Sequence, residues 1–216
     1  KFASKYNVKN ILTGGNFSTE CVRNPKEWMY YQSDSIQLKA IHKKFGTRPI
    51  DTFPITNILW HKIYLPYFKG IKLMRPLDYI SYNKDKATEF LVSEFGYQKY
   101  PQKHFESRFT RFYESYWLPK RFGYDTRKVQ FSSLILTDQM KREEAIELLK
   151  HPSFEKETIN QEIEFVANKL GINVTELNSY MTIDLKTYKD YKSQESIYNI
   201  GAWILKFLGI EKGGKR

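Results

Sequence analysis

The sequence predicts an α/β front half followed by a mostly helical C-terminal region. Two short apolar runs, Lys9–Thr13 (KNILT) and Ile71–Met74 (IKLM), have strand length and each is followed at once by a turn. From Lys103 onward the apolar residues recur at helical spacing instead. Glycines at 46, 96 and 171 stand where helical patterns stop.

Taken in order, KFASKYNV reads as the end of a helix feeding a strand. Because the chain starts at Lys1 and in mid-pattern, we expect it to be the C-terminal portion of something longer. KNILT reads as a short buried strand that Gly14-Gly15-Asn16 ends. Glycines at a strand end let a backbone approach a ligand closely, and a plain turn explains them equally. Ser18, Thr19 and Glu20 can cap a following helix or touch a ligand.

Ser33 or Asp34 caps a helix through Phe45, and Pro49–Pro54 connects it onward. Thr56–Phe68 is amphipathic with an aromatic face, and Pro66 kinks or ends it. Ile71–Met74 then leads into Arg75-Pro76-Leu77 and a helix from Asn83 or Asp85 to Phe95. Strand, arginine turn and capped helix make a second strand-end place where a cation could reach a phosphate.

The stretch Lys103–Leu149 is the densest in charge and aromatics. Read as a helix, Phe105, Phe109, Phe112 and Tyr116 make one apolar stripe, and His104, Arg108, Arg111 and Ser115 make a polar stripe beside it. Lys120, Arg121, Arg127 and Lys128 form a second basic cluster. Two readings stay open: a solvated basic face, or cations holding an anion at the edge of a core. Helices follow at Lys141–Leu149, Lys156–Leu170 and Val174–Met181, with Gly171 and Asn173 as caps. Lys186–Lys192 (KTYKDYK) reads as an exposed basic-aromatic linker before an amphipathic helix at Ser196–Leu208 and a frayed tail.

The 216 residues suffice for one sizeable core, alone or with an appendage. Aromatics at 16% and charged residues at 27% describe a globular chain. Lys+Arg 35 against Asp+Glu 24 gives +11, which admits nucleic acid, anionic membrane and phosphorylated substrates without choosing among them. The single cysteine, Cys21, excludes an internal disulfide and a cysteine-cage metal site within these residues. No run reaches membrane-spanning length. Four scattered histidines suggest no metal ligands, no Ser/His/Asp set stands out, and no G-x-x-x-x-G-K-[ST] loop is present. Basic-aromatic interleaving over Arg108–Lys128 could also stack on single-stranded nucleic acid.

Ile11–Glu20 (ILTGGNFSTE), Arg75–Asn83 (RPLDYISYN), Lys103–Ser133 and Gln139–Ala145 (QMKREEA) resemble the bacterial N-acetyl sugar amidotransferases. Lys186–Tyr191 (KTYKDY) is similar to the tail of the same family. The resemblance implies the C-terminal part of an adenine-nucleotide alpha-hydrolase-like, Rossmann-like parallel-sheet domain over residues 1–100. A helical substrate-side region over 101–185 and a linker, helix and tail over 186–216 would follow. It also implies conversion of an acetamido group of a nucleotide-linked sugar to an acetamidino group, in O-antigen or related surface-sugar pathways. The cofactors would be ATP and Mg2+, with release of AMP and pyrophosphate. A glutaminase-type subunit would supply ammonia, the setting would be cytoplasmic, and a homo-oligomer is admissible.

Under this resemblance Lys103, His104, Glu106, Arg108 and Arg111 are the catalytic candidates, with His104 and Glu106 placed to take the proton that ammonium must lose. Gly14, Gly15, Asn16, Ser18, Glu20 and Arg75 are the nucleotide-binding candidates. Lys120, Arg127, Lys128, Ser132 and Ser133 are the candidates for substrate or phosphate. Cations on a polyphosphate and a close backbone approach suit this chemistry. The family's Ser-Gly-Gly-Lys-Asp-Ser-type loop and cysteine cluster are expected upstream of Lys1, so these residues alone are expected not to turn over. Two rival readings are a tRNA-modifying ATP pyrophosphatase, for which +11 is a natural footprint, and a non-catalytic interaction remnant.

Overall fold

The computed structural model describes residues 2–25, 28, 33–100, 105–154, 156–207 and 209. They form a mostly helical chain with a two-stranded sheet. In order come α1 (Phe2–Lys5), β1 (Asn10–Leu12), α2 (Phe17–Glu20) and α3 (Ser35–Phe45). A π-helix over Trp60–Phe68, β2 (Lys72–Met74), a 3-10 turn over Pro76–Tyr79 and α4 (Lys84–Phe95) follow. Then come α5 (Arg108–Phe112), a π-segment over Tyr113–Trp117, α6 (Leu118–Phe122), α7 (Arg127–Leu136) and α8 (Arg142–Lys150). The chain continues through α9 (Ile159–Leu170), α10 (Val174–Ser179), a 3-10 turn over Tyr188–Asp190 and α11 (Glu195–Phe207).

The two strands pair in parallel: Lys72 N–H donates to Lys9 O at 2.7 Å and Thr13 N–H to Met74 O at 2.9 Å. Every residue of β1 and β2 is exposed, which corrects the reading of KNILT as buried. A sheet this small gives each strand one neighbour and little to bury against.

The chain divides into two compact units, one of residues 1–11, 29–73 and 184–216, the other of 12–28 and 74–183. In the first, Asp34 caps α3 by accepting from Gln37 N–H at 2.9 Å, and its second oxygen accepts from Gln194 N–H at 2.6 Å. Pro66 stays inside its π-helix instead of ending it. The stretch read as a linker folds at Thr187–Asp190 into a capping box.

The second unit holds a core of Phe112, Tyr116, Ile163, Val166, Ala167 and Leu177. On α9 the buried face repeats at Ile163, Val166 and Ala167, the spacing an amphipathic helix needs. The ends of its helices carry the residues expected: Asn83 and Asn173 accept N–H bonds as N-caps, while Gly96 and Gly171 close helices at φ +64° and +73°.

The central aromatic stripe departs from a straight helix. Phe105 lies in the turn before α5, Phe109 is 48% exposed, and only Phe112 and Tyr116 enter the core. The π-segment then rotates the faces that follow: Leu118 N–H reaches Tyr113 O, five residues back. It also turns Ser115, expected on the polar stripe, inward to 3% exposure.

Pro119 lies directly beyond this segment and has no N–H for the carbonyl of Ser115, four residues earlier. Ser153 Oγ donates to that carbonyl instead, at 2.9 Å. The 151–154 loop is thereby tied to the helix, and Phe154 packs edge-on against Tyr116 with ring centroids 5.1 Å apart.

Candidate functional site

Within the second unit α5, the 151–154 loop and α9 enclose a cavity of about 480 Å³. Its polar lining includes Arg111, Ser115, Arg127, His151, Ser153 and Glu162. Phe105, Phe112 and Phe154 are among its apolar walls. This size lies within the roughly 300–1,000 Å³ of small-molecule clefts.

Glu162 organises the electrostatics. One turn of α5 separates Arg108 from Arg111, so both reach the same side of α9. Arg108 Nε donates to both Glu162 oxygens, at 2.9 and 3.2 Å, and Arg111 Nη2 donates to Oε1 at 2.9 Å. The Arg108 guanidinium carbon also sits 3.8 Å from the centroid of the Phe165 ring. The carboxylate is 12% exposed and the two guanidiniums 45% and 39%, so the acid is the enclosed member of the triad.

Arg127 is held differently. Its Nε and Nη2 bond Asp125, the closest contact 2.7 Å, and its Nη1 donates to Leu148 O at 3.1 Å. Every guanidinium nitrogen therefore has a protein acceptor, and the residue is 8% exposed. This is a bidentate, buried pair that fixes the cavity wall.

Of the sequence candidates, Arg108, Arg111 and Arg127 converge on this region. Glu106 is exposed in the turn before α5. Lys103 and His104 lie outside the described residues. Lys120, Lys128, Ser132 and Ser133 do not line the cavity. Lys120 lies over the Tyr116 ring and donates to its hydroxyl at 3.3 Å. Lys128 is exposed on α7, where Ser132 Oγ donates to its carbonyl at 2.6 Å. Ser133 is 1% exposed, donates to Val129 O and accepts from Val22 N–H at 3.1 Å. Glu162, His151, Asp125 and Ser153 were not anticipated from sequence. Only Asp125, two residues from Arg127, gave any local signal.

The strand-end candidates form a separate group. Arg75 Nε donates to Gly15 O at 3.2 Å and pairs with Asp78 at 3.1 Å. Asp78 Oδ1 in turn accepts from Phe17 N–H at 2.6 Å. Asn16, 5% exposed, caps α2 by accepting from Thr19 N–H at 2.9 Å, which corrects the expectation that Ser18, Thr19 or Glu20 begins a later helix. Ser18 O receives Thr137 Oγ1 at 2.6 Å and Gln139 Nε2 at 3.1 Å. A Cβ on Gly15 would stand 3.5 Å from Glu20 Oε2, whereas one on Gly14 would meet open space. Gly14, Gly15, Asn16, Ser18, Glu20 and Arg75 are thus brought together.

This group does not by itself fit ATP. The Arg75 charge is answered by Asp78, whose carboxylate also takes the first free N–H of α2. Among the described residues, no cluster of three or more His, Cys, Asp or Glu side chains is placed to hold a metal ion.

The second unit is thus a helical body with a cleft in it, and no helix among the described residues is long and apolar enough to cross a membrane. Residues 106–205, somewhat under half of the chain, match the family model described as LPS biosynthesis protein WbpG-like, C-terminal domain. The match supports the family and the C-terminal portion recognised in the sequence and, with them, a role in lipopolysaccharide biosynthesis. Comparison with curated proteins and with solved structures finds no match.

Proposed function

We propose that the protein takes part in converting an acetamido group of a nucleotide-linked sugar to an acetamidino group during lipopolysaccharide biosynthesis. The observation that carries this reading is a cleft of about 480 Å³, lined by arginine, histidine and carboxylate side chains, almost wholly inside the family-matched stretch. On this reading 101–185 is the substrate side, and residues 1–100 continue an adenine-nucleotide hydrolase-like, Rossmann-like sheet.

ATP with Mg2+ would supply the activation of the amide oxygen, with AMP and pyrophosphate as its products. This part rests on the sequence resemblance, and none of its steps is assigned to the described residues. A separate glutaminase supplies the ammonia, and the reaction belongs in the cytoplasm. Glu162 and His151 are the carboxylate and the imidazole in the lining of the cleft, and they join His104 and Glu106 as candidates for handling the ammonium proton.

The state of the basic residues favours this reading over a nucleic-acid footprint. Arg108 and Arg111 bond Glu162, Arg127 bonds Asp125, and Arg121 donates to Met181 O and Ile183 O. Cations so committed make a poor track for a phosphate backbone.

The test is deletion of the gene followed by chemical analysis of the surface polysaccharide. Loss of acetamidino sugar with appearance of its acetamido counterpart is expected. A polysaccharide of unchanged composition would overturn the reading.

A further inference from the structure

We propose that the first compact unit docks on an anionic membrane surface, with the outward face of α11 seated among the lipid headgroups and the lysines of the unit drawn to their phosphates.

The charge of the chain divides unevenly between its two units. The first holds 17 Lys and Arg against 6 Asp and Glu, the second 18 against 18, so the whole +11 belongs to the first. Among the described residues, the ion pairs, Arg108–Glu162 and Arg127–Asp125 included, all join residues of the second unit. The described cations of the first unit are thus left to meet an anion from outside.

Helix α11 is anchored on one side and bare on the other. The Tyr198 hydroxyl bonds Ser33 at 2.8 Å, and Gln194 N–H, just before the helix, donates to Asp34. Ile200, Trp203, Ile204 and Phe207 recur at helical spacing on the far side of the axis from Tyr198 and are between 43% and 79% exposed. The Trp203 and Phe207 rings stack with centroids 5.7 Å apart. Lys206 flanks this face, while Lys186, Lys189 and Lys192 precede the helix, and all four are exposed. Of the acids in the same stretch, Asp190 accepts from Thr187 N–H and Glu195 from the Tyr188 hydroxyl, so both carboxylates are bonded within the chain. The 13 residues of α11 span about 20 Å, short of the roughly 30 Å of a bilayer core, so the helix lies along the surface and does not cross it.

The chemistry selects a bilayer over other anions. Of the 17 cations in this unit 15 are lysines, compact charges whose stems can lie on apolar surface while the ammonium reaches a phosphate. Recognition of nucleic acid favours arginine, and Ile200 and Ile204 offer a base nothing to stack on. Tryptophan beside aliphatic side chains suits the boundary between headgroups and acyl chains. A second copy would bring another strongly positive unit against the first.

Flotation of this chain with lipid vesicles tests the proposal. Vesicles of phosphatidylglycerol and phosphatidylethanolamine are expected to carry it up the gradient, and those of phosphatidylcholine to bind about tenfold more weakly or worse. Added salt should weaken the binding. Trp203→Ser combined with Phe207→Ser is expected to lose about tenfold or more in affinity for the anionic vesicles. Its thermal midpoint should stay close to that of the parent chain, because both side chains are exposed.

Absence of flotation with the anionic vesicles would overturn the proposal. So would equal flotation with both compositions, or a double variant that floats unchanged. A single-stranded oligonucleotide whose binding the double variant loses, with vesicle binding intact, would assign the face to nucleic acid. A dimer that the double variant dissociates, in a chain that binds no vesicles, would assign it to a second copy.

Discussion

Ser153 donates its hydroxyl to the main-chain carbonyl of Ser115, where Pro119 has no N–H to give. A helix that has lost a rung to proline here regains a bond from a side chain thirty-eight residues on. The same bond holds one wall of the cavity against the π-segment that shapes the other.

Ser153→Ala should therefore lower stability by about 1–3 kcal/mol, the usual cost of leaving an enclosed carbonyl without its donor. Pro119→Ala restores a main-chain N–H at the right spacing. In that background the Ser153 truncation should cost less, and urea denaturation of the four chains in a double-mutant cycle measures the difference. Strict additivity would show that the two groups do not serve one carbonyl.

Asp34 gives a second prediction. Both of its oxygens accept main-chain N–H bonds, from Gln37 at the start of α3 and from Gln194, and the residue is 4% exposed. Asp34→Ala removes a helix cap and leaves Gln194 N–H without this acceptor, at a combined cost of about 2–4 kcal/mol. Asp34→Asn retains one acceptor oxygen and should fall between the two chains. Thermal melts at fixed pH rank them.

Asp190 makes stability depend on pH in a known direction. The Thr187 backbone N–H bonded to its carboxylate holds the pKa below the ordinary value of 3.8, with smaller help from the Thr187 hydroxyl and from Lys186 and Lys44. A lowered folded-state pKa means the contribution is fully present above 3.8 and is lost as pH falls through the folded value. Asp190→Asn should thus melt below the parent chain at neutral pH, and the two should converge in acid. A gap that widens on acidification would contradict the assignment.

Much of the local structure was legible in the sequence because caps are short-range signals. Asn173 starts a helix as read, Asp34 and Asn83 do so as one of two candidates each, and Gly96 and Gly171 end helices in the left-handed region. The helix Arg127–Leu136 was not read. Its inward residues include Arg127 and Ser133, two polar side chains that interrupt the apolar period.

The π-segment was equally hidden. One extra residue between bonded turns depends on what packs around it, which no local pattern shows. The basic clusters were visible, but their partners were not. Glu162 lies more than fifty positions from Arg108 and Arg111, so no local pattern could pair them. Reading them as pocket cations overstates the positive charge available there, because Glu162 and Asp125 answer it.

The first compact unit is assembled from residues 1–11, 29–73 and 184–216. Its internal bonds include Gln194 N–H to Asp34 and the hydroxyl pair Ser33–Tyr198, across 160 and 165 positions of chain. During synthesis, α3 therefore waits on partners made much later, whereas the core from Phe112 to Leu177 is drawn from a short, nearly continuous stretch. The cavity-bearing unit can condense while the other is still open, and the bonds that hold α3 wait until residue 198 emerges.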